Sequence, residues 1–245
     1  MEVAADRTVL LIGAGGLGSP VALALAQAGA ALVVVDDDVV SLSNLQRQVL
    51  FRTEDVGKGK AEVAARRLAE VAPGARVRAV RGRFSAETAP GLVAGVDLVV
   101  DGSDNFPTRF LANDACVLAG RPLVHGGILG FTGQTLLVEP GKSACYRCLF
   151  EGPPPAGSVP ACAEAGVLGA LCGTVGGLMA GLALRALAGD LAGAGVLTVL
   201  DALSARTRTV RIGRDPGCAV CGGRPEIVRL EAARYVEPAA CGREG

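Results

Sequence analysis

A short apolar run, Val9-Leu10-Leu11-Ile12, passes directly into Gly13-Ala14-Gly15-Gly16-Leu17-Gly18, and a run without charge continues to Val35. The spacing G-x-G-x-x-G between an apolar run and a helical stretch (Ser19 to Gln27) predicts strand, tight turn and helix. Glycines at those places let a phosphate approach the backbone, and the amides and partial positive charge of the helix start attract it. Leu32-Val33-Val34-Val35 then reads as a second strand. Asp36 at its end can accept hydrogen bonds from a ribose hydroxyl. The competing view is a glycine turn that only packs a helix on a sheet.

The rest of the chain alternates in the same way. Lys58 to Val71 has helical apolar spacing and stops at Pro73-Gly74. Val77 to Val80 is a weaker strand, Ala86 to Ala94 a helix, and Val96 to Val100 a strand ending at Asp101. A helix follows from Pro107 to about Leu118, and Pro122-Leu123-Val124 starts another strand. This order predicts an α/β fold with a doubly wound, mainly parallel, Rossmann-like sheet. Thr135 to Val138, Leu197 to Leu200 and Thr209 to Ile212 read as an antiparallel extension. Gly152 to Gly157, with three prolines, reads as an exposed loop. No repeat or linker divides residues 1–245, which are expected to form a single domain.

Thr8 to Val35 and Ala165 to Leu184 are uncharged and long enough for a bilayer span of about 20 residues. The first is broken by its glycines and Pro20; a signal peptide is the rival reading there. The second is glycine-rich and lacks basic flanks or an aromatic belt, so it is expected to be a buried helix and not a membrane anchor. With 24 basic and 24 acidic residues the net charge is zero and no block of one sign occurs, which disfavours nucleic acid or an anionic membrane as partner. Eight cysteines are too few for a disulfide scaffold of this length.

Beyond Asp36 the sequence runs Asp37-Asp38 and then Ser41-Leu42-Ser43-Asn44-Leu45-Gln46-Arg47-Gln48. Only three lysines are present, and Lys58 and Lys60 are two of them. Arg47 and Lys60 could neutralise a polyphosphate. Asp104, beside Asn105 just past a strand end, could hold Mg²⁺. Taken singly, Arg47 reads as a surface charge, Lys60 as a solvated helix face and Asp104 as a helix cap.

Cys145-Tyr146-Arg147-Cys148 and Cys218-Ala219-Val220-Cys221 form two C-x-x-C pairs. Four thiolates at that spacing complete a closed tetrahedral Zn²⁺ shell, a structural site, and point to a reducing compartment, the cytoplasm. Redox-active thiol pairs are the alternative. Cys116 and Cys172 lie in apolar helices and read as core, Cys241 as incidental, and His125, the only histidine, as a packed strand residue.

The segments Gly13 to Pro20, Ser41 to Gln48 and Asp104-Asn105 resemble the E1-like superfamily that activates ubiquitin-like sulfur carriers, in particular the adenylyltransferases of molybdopterin and thiamine biosynthesis. The similarity runs from about Thr8 to Cys221, and Ser43-Asn44-Leu45-Gln46-Arg47 is its most telling part. The resemblance implies ATP, Mg²⁺ and Zn²⁺ as cofactors. Gly16 would line the phosphate site and Asp36 would hold the ribose. Ser43, Asn44, Gln46 and Arg47 would wrap the triphosphate, Lys60 would contact phosphate, and Asp104 would bind Mg²⁺ beside Asn105. Cys162 would bond to the carrier's activated end or relay sulfur. The partner would be a small ubiquitin-like sulfur carrier ending in Gly-Gly. A separate sulfur donor, a cysteine desulfurase or a rhodanese, would act because no rhodanese domain is appended, and a homodimer is expected.

The resemblance also fits the scarcity of histidine. A terminal carboxyl has a pKa of about 3.5 and is ionised at neutral pH, so adenylation needs cations rather than a general base. Relatives carry about one to two helices before the first strand, with an Arg-Tyr-x-Arg-Gln-like segment whose arginine reaches the ATP of the partner subunit; here only Met1 to Arg7 precede that strand, so either the sequence starts late or that arginine is lacking. Loss of a cation at the phosphates would slow turnover by factors of about 10³. Two other readings compete: an NAD-dependent oxidoreductase, favoured by the glycine motif and Asp36 alone, and a non-catalytic carrier-binding scaffold. Activation of a modified tRNA base draws no support from the neutral charge. The pathway served by the carrier (molybdopterin, thiamine or tRNA thiolation) is open.

Overall fold

Strand β1 (Thr8–Ile12) is apolar at consecutive positions because both of its faces are covered. Val9 and Leu11 enter one core; Leu10 and Ile12 enter the other. The same alternation holds in β2 (Ala31–Asp36), with Leu32 and Val34 on one face and Val33 and Val35 on the other. The computed structural model describes residues 6–155 and 166–236. Within them, helix α1 (Gly18–Gln27), α2 (Lys60–Val71), β3 (Val77–Arg81), α3 (Ala89–Ala94), β4 (Leu98–Asp101), α4 (Phe106–Ala119) and β5 (Leu123–Leu129) complete the parallel half. Strand β6 (Thr132–Val138), helix α5 (Tyr146–Leu149), helix α6 (Gly169–Leu187), β7 (Val196–Asp201) and β8 (Arg206–Arg211) follow.

The eight strands form one sheet in the order β3-β2-β1-β4-β5-β6-β7-β8. The first five are parallel and the last three are added antiparallel, as expected from the sequence. The chain winds outward from β1 through β2 to β3, then returns to place β4 on the other side of β1. That reversal leaves a crevice at the carboxyl ends of β1 and β4, where open α/β sheets bind ligands. Helices α1, α2 and α6 cover one face; α3, α4 and α5 cover the other.

Helix α6 is long and apolar enough to cross a bilayer by composition, yet only 39% of its span is buried. It packs one edge, through Leu171, Val175, Met179 and Ala183, on the core of α1 and the sheet. Gly176 lets it approach closely, since a Cβ there would overlap the Pro20 ring. The expectation of a buried helix therefore holds for one side only: Gly173, Gly177 and Gly181 face outward into open space.

Several boundaries differ from those read in the sequence, each with a local cause. Helix α3 starts at Ala89 rather than Ala86 because Ser85 and Thr88 close a side-chain turn, with the Ser85 amide donating to Thr88 Oγ1 at 3.0 Å. Strand β4 starts at Leu98 because the Asp97 carboxylate accepts from the Thr8 amide and from Arg7. Strand β5 extends to Leu129 and β6 starts at Thr132, so the two form a continuous hairpin. Strand β8 begins at Arg206, which gives the outer edge a more basic face than Thr209 to Ile212 alone. Residues 152–155 run partly exposed; the remainder of that loop, Cys162 and Cys241 lie outside the described residues.

Candidate active site

The glycine turn joins β1 to α1. Gly13 sits at φ +82°, a conformation that favours glycine, and its neighbour across the turn is the Gly102 carbonyl. A Cβ on Gly18 would collide with the Gly13 carbonyl, so the helix leaves the turn as tightly as the backbone allows. The first turn of α1 carries no acidic residue, which leaves its amide end free to favour an anion.

Asp36 at the end of β2 fastens this turn. Its carboxylate accepts from the Ala14 amide at 2.7 Å and from the Asp38 amide at 2.9 Å. Burial raises its pKa above the ordinary range despite those two bonds and the Lys60 charge. It also lines the cleft, as a ribose contact requires.

The cleft has a volume of about 260 Å³. It brings together Gly16, Asp36, Asn44, Arg47, Lys60, Asp104 and Asn105, seven residues singled out from the sequence. Arg47 lies against the turn: a Cβ on Gly16 would come within 3.4 Å of its side chain. Lys60 is no solvated helix residue. It is 4% exposed and donates to Asp38 Oδ2 at 2.8 Å, while the Asp38 side chain is largely in solvent. Asp104 is exposed in the cleft and forms no hydrogen bond or ion pair among the described residues. The cap of α4 is Asn105, whose Oδ1 accepts from the Thr108 amide at 2.9 Å, so Asp104 remains free to hold a cation.

Ser43 and Gln46 do not line the cleft. Ser43 is exposed and bonds Ser41 and Asn44. Gln46 packs against the start of α6, its side chain 3.1 Å from where a Cβ on Gly169 would sit. Residues given no role in the site from the sequence fill the remaining wall. Gln48 is buried and donates to Asn44 Oδ1 at 3.2 Å. Ser103, Arg109 and Cys172 also line it. Gln48 and Arg109 follow the chosen motifs by one and four positions. Cys172 arrives from α6, where local sequence carries no signal.

Behind this wall, His125 is buried as expected and its Nδ1 lies 2.8 Å from Asp101 Oδ2. Burial disfavours the Asp101 carboxylate, but the bonds from His125 and Ser103 outweigh it and hold its pKa below the usual range. Burial lowers the pKa of His125 more than Asp101 raises it. The two side chains thus form one buried pair beneath the cleft.

The second constellation lies on the far side of the sheet. The Sγ atoms of Cys145, Cys148, Cys218 and Cys221 all fall within 4.8 Å of one another. The Cys145–Cys218 separation is 3.6 Å and the Cys148–Cys221 separation 3.4 Å. A tetrahedral zinc with bonds of about 2.3 Å needs edges of about 3.8 Å, so the four thiols are spaced to hold a metal. The cluster is tied to α4 by the Tyr146 amide, which donates to Asn113 Oδ1 at 2.8 Å, and by Arg147, which grips Asp114. Tyr235 from the C-terminal segment donates to the same Asp114 carboxylate at 2.9 Å.

Comparison with known proteins agrees with this geometry. The ThiF family profile matches residues 1–220. The chain is 51% identical over 237 residues to the sulfur carrier protein adenylyltransferase of Thermus thermophilus, covering 92% of this chain and 87% of that protein. It is 48% identical over 235 residues to the SAMP-activating enzyme E1 of Haloferax volcanii, covering 95% and 86%. Among solved structures, Escherichia coli MccB superposes with a TM-score of 0.79 at 25% identity, covering 89% of this chain and 68% of MccB. A glycine turn, a cation-lined cleft and a relationship this extensive lead to one assignment: the chain belongs to the ThiF family of E1-like adenylyltransferases.

Proposed function

We propose that the chain adenylates the C-terminal glycine carboxylate of a small ubiquitin-like sulfur carrier, using ATP and Mg²⁺. The observation that carries this reading is the meeting of Arg47, Lys60 and Asp104 around the glycine turn in one cleft. The oxidoreductase reading, which rests on the glycine motif and Asp36, gives no role to Asn44, Arg47, Lys60 or the four cysteines. A scaffold without turnover has no use for a buried lysine there.

The triphosphate is held by the turn, Arg47 and Lys60, with Lys60 exchanging Asp38 for phosphate. Asn44 and Gln48 flank it, and Ser43 and Gln46 shape the segment that presents Arg47. Asp36 and Gly16 meet ribose and phosphate. Asp104, beside Asn105, holds Mg²⁺, which supplies charge neutralisation at the phosphates. The carrier's carboxylate oxygen attacks the α-phosphorus, the bond from that phosphorus to pyrophosphate breaks, and an acyl-adenylate remains. No proton moves in this step, so no base is required. The four cysteines hold a structural Zn²⁺. A separate sulfur donor (a cysteine desulfurase or a rhodanese) presents a persulfide that displaces AMP from the adenylate, and a second thiol cleaves the resulting acyl disulfide to free the thiocarboxylate; Cys162, the relay residue of the resemblance, lies outside the described residues. We place the enzyme in the cytoplasm and pair it as a homodimer, with the outward glycines of α6, Gly173, Gly177 and Gly181, available for a second copy.

The test is incubation with ATP, Mg²⁺ and candidate carriers, reading carrier-dependent ATP–pyrophosphate exchange and the acyl-adenylate by mass spectrometry. Carrier binding without pyrophosphate release would return the scaffold reading, and binding of NAD in place of ATP the oxidoreductase.

A further inference from the structure

Two anions must enter one cleft for this reaction, the triphosphate and the carrier's tail end. Arg47 and Lys60 stand by the glycine turn. Arg109 enters from the first turn of α4, beside Ser103 and Asn105. It is 8% exposed, and no carboxylate lies within ion-pair distance of it among the described residues. Its Nε is buried without a hydrogen-bond partner; the groups that meet the rest of the guanidinium are neutral, the Ser103 carbonyl at 3.4 Å from Nη2 and the Tyr146 hydroxyl. Asp101 acts on it from beyond contact distance. A buried guanidinium left in this state is costly unless an anion arrives to use its fork.

The surroundings show where that anion comes from. The guanidinium is steadied over the Phe106 ring, 5.3 Å from its centroid. On its other side is Gly127 of β5, where a Cβ would sit 3.5 Å from both Nη atoms and 3.4 Å from Gln134 Nε2. From Gly127 a row of paired positions crosses the antiparallel strands through Gln134 and Val199 to Arg208 on the sheet edge. Val199 and Gln134 are half-buried and Arg208 is exposed. This row lies across one face of the sheet, from the exposed edge strand to the glycine beside the Arg109 guanidinium.

We propose that Arg109 is the receptor for the terminal carboxylate of the carrier, gripping it beside Gly127 and Gln134 and delivering it toward the α-phosphorus. The assignment rests on the adenylation reading above and adds the residue that recognises the protein substrate.

The test uses the sulfur carrier served by the Thermus thermophilus relative, prepared with a free terminal carboxylate and with a terminal amide. Wild-type enzyme is expected to bind the free acid at least tenfold more tightly than the amide. In Arg109→Gln that preference falls to within twofold, KM for the carrier in pyrophosphate exchange rises at least tenfold, and ATP affinity changes less than threefold. Arg109→Lys, which keeps the charge but not the fork, falls between. Retained ATP binding certifies that the variant is folded. If Arg109→Gln loses ATP affinity and keeps its preference for the acid, Arg109 serves the nucleotide and the proposal is overturned. Equal binding of acid and amide by wild-type enzyme that still catalyses exchange overturns it while leaving adenylation standing. Absence of carrier-dependent exchange in wild type removes both.

Discussion

At the scale of single residues, Lys60 is the most demanding test of the site. A lysine that is 4% exposed costs several kcal/mol to bury unless it is paired, and its partner Asp38 is mostly in water. The pair is thus asymmetric: phosphate can replace Asp38 without moving Lys60. Replacing Lys60 with alanine is expected to lower carrier-dependent pyrophosphate exchange by about 10²–10³-fold, the usual loss for one charge-stabilising group. Isothermal calorimetry should show weakened ATP binding in the same variant. Unchanged exchange would mean that the lysine is only a core ion pair. Much of this site was legible because phosphate chemistry demands glycine and cations at short spacings, and Gly16, Asp36, Arg47 and Asp104 lie in such spacings. Ser43 and Gln46 lie in the same motif but face away, because the 3-10 turn Leu42–Asn44 rotates neighbouring side chains in different directions. Arg109 escaped notice because its meaning comes from being buried without an acidic partner among the described residues, which only the packed structure shows.

At the scale of elements, α2 is held by charge as well as by its apolar face. Arg67 is buried and bonds Glu54, Asp55 and Glu70, while Arg66 reaches Asp55 from outside. Asp55 is fully buried in the turn Thr53–Asp55 that precedes the helix. Burial opposes its ionisation, but the bonds from Arg67, the Arg52 amide and Arg66 prevail and bring its pKa down to about 2. A depressed carboxylate pKa adds stability above the unfolded value of 3.8, and this is lost as pH falls from there toward about 2. Asp55→Asn should therefore lower stability at neutral pH by about 3 kcal/mol, since it leaves Arg67 with less buried counter-charge. Its stability should also vary less between pH 4 and pH 2 than that of the wild type (about two units, matching the shift). Denaturant unfolding followed by circular dichroism across that window reads both effects; parallel pH profiles would refute the account. This network was hidden from the sequence, where Lys58 to Val71 shows only helical spacing and mixed charges. Apart from the short helix α5, whose residues read only as a C-x-x-C pair, the strands and α-helices were legible, because the apolar alternation is set by burial on two faces. Boundaries shifted where polar side chains such as Thr88 and Asp97 took over backbone bonds.

At the scale of the whole molecule, the cysteine cluster and the cleft are joined by one helix. Asn113 and Asp114 of α4 anchor Tyr146 and Arg147 beside the thiols, and the amino end of the same helix presents Asn105 and Arg109 to the cleft. Asp114 also holds Tyr235, so the C-terminal segment closes over this junction. The spacing of the two C-x-x-C pairs was enough to read the cluster in the sequence, since four thiolates converge on a metal whatever lies between them. That α4 links the cluster to the substrate side was not legible, because it depends on which face of the helix each end presents. The link carries an expectation for metal removal. Purified protein should contain one equivalent of zinc by elemental analysis, and Cys218→Ser should lose it. With metal binding coupled to folding, a loss of about 4 kcal/mol would lower Tm by roughly 10 °C for a chain of this size. At temperatures where the variant stays folded, ATP affinity should persist, because Arg47 and Lys60 are carried by other segments, whereas KM for the carrier should rise as α4 loosens. A variant that keeps its zinc and its Tm would show that Cys218 is not a ligand and that the closed four-thiolate site is wrong. One that loses zinc, with ATP and carrier affinity falling together, would show that the cluster supports the whole sheet rather than the end of it that receives the carrier.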